Sequence, residues 1–151
     1  MEGFSTDCPV VLVTGAAKRI GAAVSCRFHE SGYRTLIHFN RSELEAEELY
    51  AKLNGLRADS AFLVQGDLND PSTLDTIVKE VTKLGRLDVL VNNASSFYPT
   101  PLEAANEVQW NDLMNSNLKS PFFLCKRLAK ALTQNSGSIV NLADIHAYQA
   151  L

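Results

Sequence analysis

The sequence predicts an α/β fold, a doubly wound parallel sheet with strand order 3-2-1-4-5. Three observations predict it. Apolar runs of strand length alternate along the whole chain with segments of helical periodicity. The first run, Pro9–Val13, passes through Thr14-Gly15-Ala16-Ala17-Lys18-Arg19-Ile20-Gly21 directly into a helical pattern. Finally, no repeat, low-complexity tract or linker interrupts the 151 residues, of which 46% are hydrophobic, so one domain with an ample core is expected. Strands alternating with helices imply right-handed crossovers and helices on both sheet faces.

Each element has a local reason. Pro9–Val13 is apolar throughout, as a strand buried on both faces should be. The first helix starts near Arg19, carries Ile20, Ala23, Val24 and Phe28 on one face, and stops at Gly32. Thr35–Phe39 is a short β-branched and aromatic strand. Ser42-Glu43-Leu44-Glu45 has the form of a capping box, and Ala46, Leu49, Tyr50 and Leu53 continue its apolar face. Ala61–Gln65 is the third strand. Asp70-Pro71 gives an N-cap followed by proline at the first helical position. Leu74, Ile77, Val78, Val81 and Leu84 form a stripe that Gly85 ends, and Leu87–Val91 is the fourth strand. A loop from Ser95 to Pro101 leads into a helical pattern from about Glu103 to Leu132, which Pro121 bends or divides. Gly137 precedes the fifth strand, Ile139–Leu142, which is apolar on both faces.

Composition excludes several functions. A formal charge of −3 gives no global basic field for nucleic acid. The apolar runs are too short for a transmembrane helix, and Met1–Asp7 lacks the apolar segment of a secretory signal. Cys8, Cys26 and Cys125 are odd in number and far apart, which suggests free thiols in a reducing cytosol. His29, His38 and His146 have no metal-ligand spacing with them, so no metal site is expected.

The chemistry starts at the first strand–helix turn. Such a turn presents unpaired backbone N–H groups and the positive end of a helix dipole, which suits phosphate. Gly15 permits the sharp turn, Gly21 permits close packing of the helix, and Lys18 and Arg19 add cations. NAD-type sites place an acid at the end of the second strand to hold the ribose hydroxyls. This chain instead reads His38-Phe39-Asn40-Arg41-Ser42, with no acid before Glu43. A guanidinium beside a serine suits a 2′-phosphate, which favours NADP(H) over NAD. In Gly66-Asp67-Leu68, Asp67 either meets an adenine edge or caps its loop. Asn117, a poor helix former in mid-helix, either bonds a neighbouring backbone or holds a water in the site.

TGAAKRIG, the Asn92-Asn93-Ala94 that follows strand four, and Asn117 in the long helix resemble the short-chain dehydrogenase/reductase family and its Rossmann-like fold. His38–Ser42, the loop Asn92–Pro99 and Asp144 resemble the pteridine reductases more narrowly. Arg19 and Ser95 stand where most of the family has glycine, and Asp144 stands where most has a catalytic serine. The resemblance implies NADPH bound by Gly15, Lys18, Arg19, Ile20, Gly21, His38, Asn40, Arg41, Ser42, Asp67, Leu68, Asn93, Ala94 and Ser95. It implies a pterin-like substrate held by Arg19, Ser95 and Phe97, with Phe97 stacked opposite the nicotinamide and Asp144 and Asn117 serving catalysis. A flat heterocycle gains from such an aromatic wall, although an aromatic can equally plug a core beneath a loop.

The family's catalytic tyrosine is followed by a lysine, whereas Tyr148 is followed by Gln149, Ala150 and Leu151 and lies too close to Asp144. Tyr148 is therefore assigned to the start of a substrate loop. An apolar fifth strand left at a sheet edge is an aggregation liability, so the expectation is the N-terminal part of a longer cytoplasmic homo-oligomer, a dimer or tetramer. Two function classes follow: an NADPH-dependent reductase of pterins or carbonyls, and a non-catalytic nucleotide-binding or interaction module. A methyltransferase is disfavoured by the missing acid after strand two.

Overall fold

The computed structural model describes residues 8–144. Its elements run β1 (Val10–Val13), α1 (Arg19–Glu30), β2 (Arg34–Phe39), α2 (Glu43–Leu56), β3 (Ala61–Gln65), α3 (Pro71–Leu84) and β4 (Val89–Asn92). They continue with α4 (Glu107–Met114), α5 (Ser120–Gln134) and β5 (Ser138–Asn141). All four strand pairings are parallel, and the sheet order is β3-β2-β1-β4-β5, as predicted.

The side-chain alternation of β1 divides the core. Val10 and Leu12 point to the face covered by α3 and α5, where Leu74, Ile77, Val81, Leu124, Leu128 and Leu132 are buried. Val11 and Val13 point to the face of α1 and α2, with Ile37, Ala46, Leu49, Leu53 and Val91. Both faces of β1 are therefore dry, which is why it reads as an uninterrupted apolar run. Capping behaves as expected in α3: the Asp70 side chain accepts from Ser72 N, Pro71 opens the helix, and Gly85 closes it at φ 80.

Several expectations fail for tertiary reasons. The buried face of α1 is Gly21, Ser25 and His29, while Ile20 is 61% exposed and Ala23 lies outside. Close approach at Gly21 sets this rotation, and the inward polar groups are satisfied. Ser25 Oγ donates to Gly21 O at 2.8 Å, and His29 Nε2 meets Ser60 Oγ at 2.6 Å. The Ser42 capping box does not form; Glu45 instead pairs with Lys18 at 2.8 Å. β4 and β5 each start and end differently from the sequence-based ranges. β5 is exposed along its length, Ile139 at 44% and Val140 at 45%, because only β4 neighbours it among the described residues.

The long helical pattern resolves into a single turn of 3-10 helix at Leu102–Ala104, then α4, then a π turn over Asn115–Lys119 that runs into α5. Pro121 sits in the first turn of α5, and Ser120 N donates to Asn115 O, five residues back. The wider turn absorbs the proline, which has no N–H to give Asn117 O. Tyr148 lies outside the described residues.

Candidate functional site

A groove of about 980 Å³ opens at the carboxyl ends of the strands, walled by the loops that follow β1, β2, β3 and β4. The sheet order reverses between β1 and β4, so the loops after them diverge and leave this crevice. Gly15, Lys18, Arg19, Ile20, Gly21, His38, Asn40, Arg41, Ser42, Asp67, Leu68, Asn93, Ala94, Ser95 and Phe97 all line it. Of the residues singled out in the sequence, Asn117 and Asp144 do not.

The glycines are required by contact. Gly15 has φ 61, and a Cβ there would meet Ala94 Cα at 3.0 Å. A Cβ on Gly21 would stand 2.3 Å from Gly15 O and 2.7 Å from Asn93 Nδ2. The Asn93 amide donates to Thr14 O at 2.8 Å and Gly15 O at 3.0 Å, and Thr14 Oγ1 accepts from the Asn93 and Ala94 N–H groups, each at 3.0 Å. The first turn and the loop after β4 are thus one interlocked unit.

Among the described residues Arg19 is one of three non-glycine residues with positive φ, at 56. This left-handed conformation costs a side-chain-bearing residue about 1–3 kcal/mol and persists where the surroundings enforce it. Arg19 keeps a place on the groove in this conformation. Among the described residues Arg19 and Arg41 have no ion-pair partner, whereas the charge of Lys18 is offset by Glu45. Arg41 stands on the groove beside Asn40 and Ser42, with no acid at the end of β2.

His38 has a structural function here. It is 2% exposed, its Nδ1 accepts from Gly15 N at 3.3 Å, and its Nε2 donates to Gly66 O at 3.1 Å. Both ring nitrogens are spent on joining the loops after β1 and β3. Burial pushes its pKa down from 6.5 to about 4, against the opposing pull of the Gly66 carbonyl, so the ring is neutral.

Phe97 is 79% exposed, which rules out a core plug and leaves its ring on the groove wall. Asn117 bonds a neighbouring backbone, the first of its two readings. Its Nδ2 donates to Ser96 O at 2.8 Å and its Oδ1 accepts from Ser96 N at 3.2 Å. The amide pins the loop that carries Phe97. Asp144 is exposed, three residues past β5.

The sequence reading did not assign Ala17, Phe39, Asn69, Ser96, Tyr98, Asp112 and Ser116 to the site, and these complete the lining. The spacing of Asp112 and Ser116, one turn apart on the long helix, was the available signal. The described residues contain no group of side chains suited to a metal ion and no helix long and apolar enough to cross a membrane. Cys8, Cys26 and Cys125 are free thiols.

A family model described as short chain dehydrogenase matches residues 9–150. The chain is 37% identical over 186 residues to pteridine reductase 1 of Leishmania tarentolae, covering 97% of this chain and 64% of that protein. It is 34% identical over 136 residues to the 3-oxoacyl-(acyl-carrier-protein) reductase FabG of Staphylococcus aureus, covering 89% of this chain and 55% of that protein. The namesake from Staphylococcus epidermidis is 32% identical over the same length. The chain thus spans less than two thirds of the length of these relatives. A family match over almost every residue, the 3-2-1-4-5 sheet and the crevice at its switch point lead to one conclusion: the chain belongs to the short chain dehydrogenase family.

Proposed function

We propose that this chain carries the NADPH site of a reductase that acts on pterins or related oxidised heterocycles, by hydride transfer to a heteroaromatic C=N bond. The observation that carries the reading is the pair of guanidiniums, Arg19 and Arg41, on one groove, with no ion-pair partner among the described residues and no acid at the end of β2. A nicotinamide cofactor supplies the hydride when bound. The cradle of Gly15, Gly21, Asn93 and Ala94 holds its pyrophosphate, and Arg41 with Ser42 grips the 2′-phosphate. Arg19 and Ser95 reach both phosphate and substrate. Phe97, pinned through Ser96 by Asn117, forms the apolar wall against which a flat ring stacks. Asp144 assists proton delivery, and the exposed Phe122 and Phe123 of α5 meet a second subunit.

The similarity to pteridine reductase 1 supports the pterin reading. The similarity to 3-oxoacyl-(acyl-carrier-protein) reductase favours a second reading, reduction of a carbonyl, for which an exposed aromatic wall is not needed. Steady-state turnover with dihydrobiopterin, dihydrofolate and a 3-oxoacyl thioester separates the two. Arg41→Asp should weaken NADPH selectively over NADH by about 30-fold, equivalent to about 2 kcal/mol from lost charge-assisted bonds. Equal loss for both cofactors removes Arg41 from the 2′-phosphate. Nucleotide binding without turnover by a polypeptide that also carries the family's tyrosine–lysine pair supports a non-catalytic module instead.

A further inference from the structure

The amino ends of the strands, opposite the groove, hold a buried cation whose donors are mostly unbonded. Arg34 opens β2, is 4% exposed and stands in register with Val10 of β1. Paired residues of a parallel ladder point to one face, so Arg34 follows Val10 and Leu36 to the α3 side of the sheet. There its Nη2 donates to Leu84 O at 3.0 Å, at the negative end of the α3 dipole. A guanidinium carries donors on every nitrogen, and Nε and Nη1 of this one are buried with no hydrogen-bond partner among the described residues. Such a group is costly to hold in a core. Asp88 is committed elsewhere: it takes Arg86 Nε at 2.9 Å, Arg86 Nη2 at 2.6 Å and Val10 N at 2.7 Å. Cys8 is a free, half-buried thiol directly before Pro9, whose carbonyl takes the Arg34 N–H at 2.8 Å. Thiol and guanidinium thus share one corner of the sheet. Burial pulls the Arg34 pKa down, and negative charge on Cys8 opposes that pull ahead of Asp88. The other thiols have different neighbours: Cys26 meets the exposed Lys52 ammonium at 3.9 Å, and Cys125 the neutral Asn92 amide at 3.4 Å.

We infer that Cys8 is an oxidative modification site, taken by hydrogen peroxide to the sulfinate and held there by the unbonded donors of Arg34. In the first step the sulfur attacks one peroxide oxygen, an S–O bond forms and the O–O bond breaks. The departing hydroxide leaves as water with the thiol proton. Sulfur loses two electrons, the peroxide gains them, and the product is the sulfenic acid. A second peroxide adds a second oxygen in the same way, releases a second water and leaves a sulfinic acid that ionises. Sulfinate brings what this corner lacks, a fixed negative charge and strong acceptor oxygens beside a cation with free N–H groups. Charge-assisted hydrogen bonds are the stronger class, so the oxidised state is the one that satisfies Arg34. The corner lies at the end of the sheet away from the groove, so the modification tightens the start of β1 against the end of α3.

The test treats the purified protein with hydrogen peroxide and follows each cysteine peptide by mass spectrometry. Cys8 should gain two oxygen atoms roughly tenfold faster than Cys26 or Cys125 gains any. In Arg34→Met, which keeps the length and removes the charge, that preference should fall to about twofold or less. Cys8→Asp puts a carboxylate where the sulfinate stands, and Cys8→Asn is its uncharged isostere. The Asp variant should have the higher urea midpoint at neutral pH, and the gap should vanish in the Arg34→Met background. Equal midpoints for Asp and Asn overturn the inference, as does a Cys8 that oxidises no faster than the other thiols. A Cys8 that reacts fast but stops at the sulfenic acid or a disulfide is an ordinary accessible thiol, which also overturns it. Unchanged selectivity in Arg34→Met does the same, because the guanidinium is then not the cause. Should Arg34→Met fail to fold, the comparison of Asp with Asn and the comparison among the wild-type thiols decide the matter between them.

Discussion

Adding one methyl group at Gly21 tests the interlocked turn directly. The Cβ of Gly21→Ala would stand 2.3 Å from Gly15 O, 2.7 Å from Asn93 Nδ2 and 2.9 Å from Ala16 Cα. Two of these three atoms are backbone and cannot swing aside. Relief requires α1 to lift from the turn or Asn93 to leave its carbonyl partners at 2.8 and 3.0 Å. Overpacking of this kind costs about 1–3 kcal/mol, and a displaced amide adds about 1 kcal/mol. Replacing glycine with alanine in a helix returns up to about 1 kcal/mol. The net expectation is destabilisation by about 1–3 kcal/mol. Gly55 in α2 supplies the control, because a Cβ there meets nothing within 4 Å. Gly55→Ala should stabilise by about 0.5–1 kcal/mol. Urea midpoints of the two variants, measured against wild type, should therefore move in opposite directions. NADPH affinity should fall tenfold or more in Gly21→Ala alone. A Gly21→Ala midpoint at or above wild type would refute the close-contact reasoning.

Other outcomes follow from the same geometry. Arg19→Gly relieves the left-handed strain at φ 56, so it should raise stability by about 1 kcal/mol while weakening NADPH; a variant that loses both shows that the arginine side chain holds the fold. His38 is held at a pKa of about 4 against 6.5 unfolded, so its contribution is fully present above pH 6.5 and is lost as pH falls toward 4. At roughly 1.4 kcal/mol per pKa unit, the whole step is worth about 3 kcal/mol. Urea unfolding across that range should show it, with a smaller slope in His38→Gln. Phe97→Ala should leave the urea midpoint within about 0.5 kcal/mol of wild type, because the ring is 79% exposed. The same variant should raise the pterin KM roughly tenfold; an unchanged KM would exclude stacking.

What the sequence by itself determined is whatever depends on neighbours a few residues apart. The dry run Val10–Val13, the Asp70-Pro71 start and Gly85 stop of α3, and its Leu74, Ile77, Val81, Leu84 stripe are all local signals, and all appear in the fold. So is the absence of an acid after β2. Those signals sufficed for the sheet order, because right-handed crossovers leave few alternatives for strands alternating with helices.

Tertiary structure decided the matters that depend on distant partners. Helical periodicity suggested that Ile20 faces inward, yet only Gly21 can approach the Gly15 carbonyl, so the helix turns Ile20 out. A serine followed by glutamate suggested a capping box, yet Lys18, 27 residues away, takes Glu45. The resemblance puts His38 among the cofactor-binding residues, and only the structure shows that both of its nitrogens are bonded to Gly15 and Gly66. Asp112 and Asn69 are 43 residues apart and meet only because a π turn and a buried Ser120, bonded to Leu68 O at 2.7 Å, seat the long helix against the loop after β3. Local composition encodes which segments become strands and helices. Which side chains meet over their ends is set by how closely two backbones can approach, and that is a property of the assembled sheet.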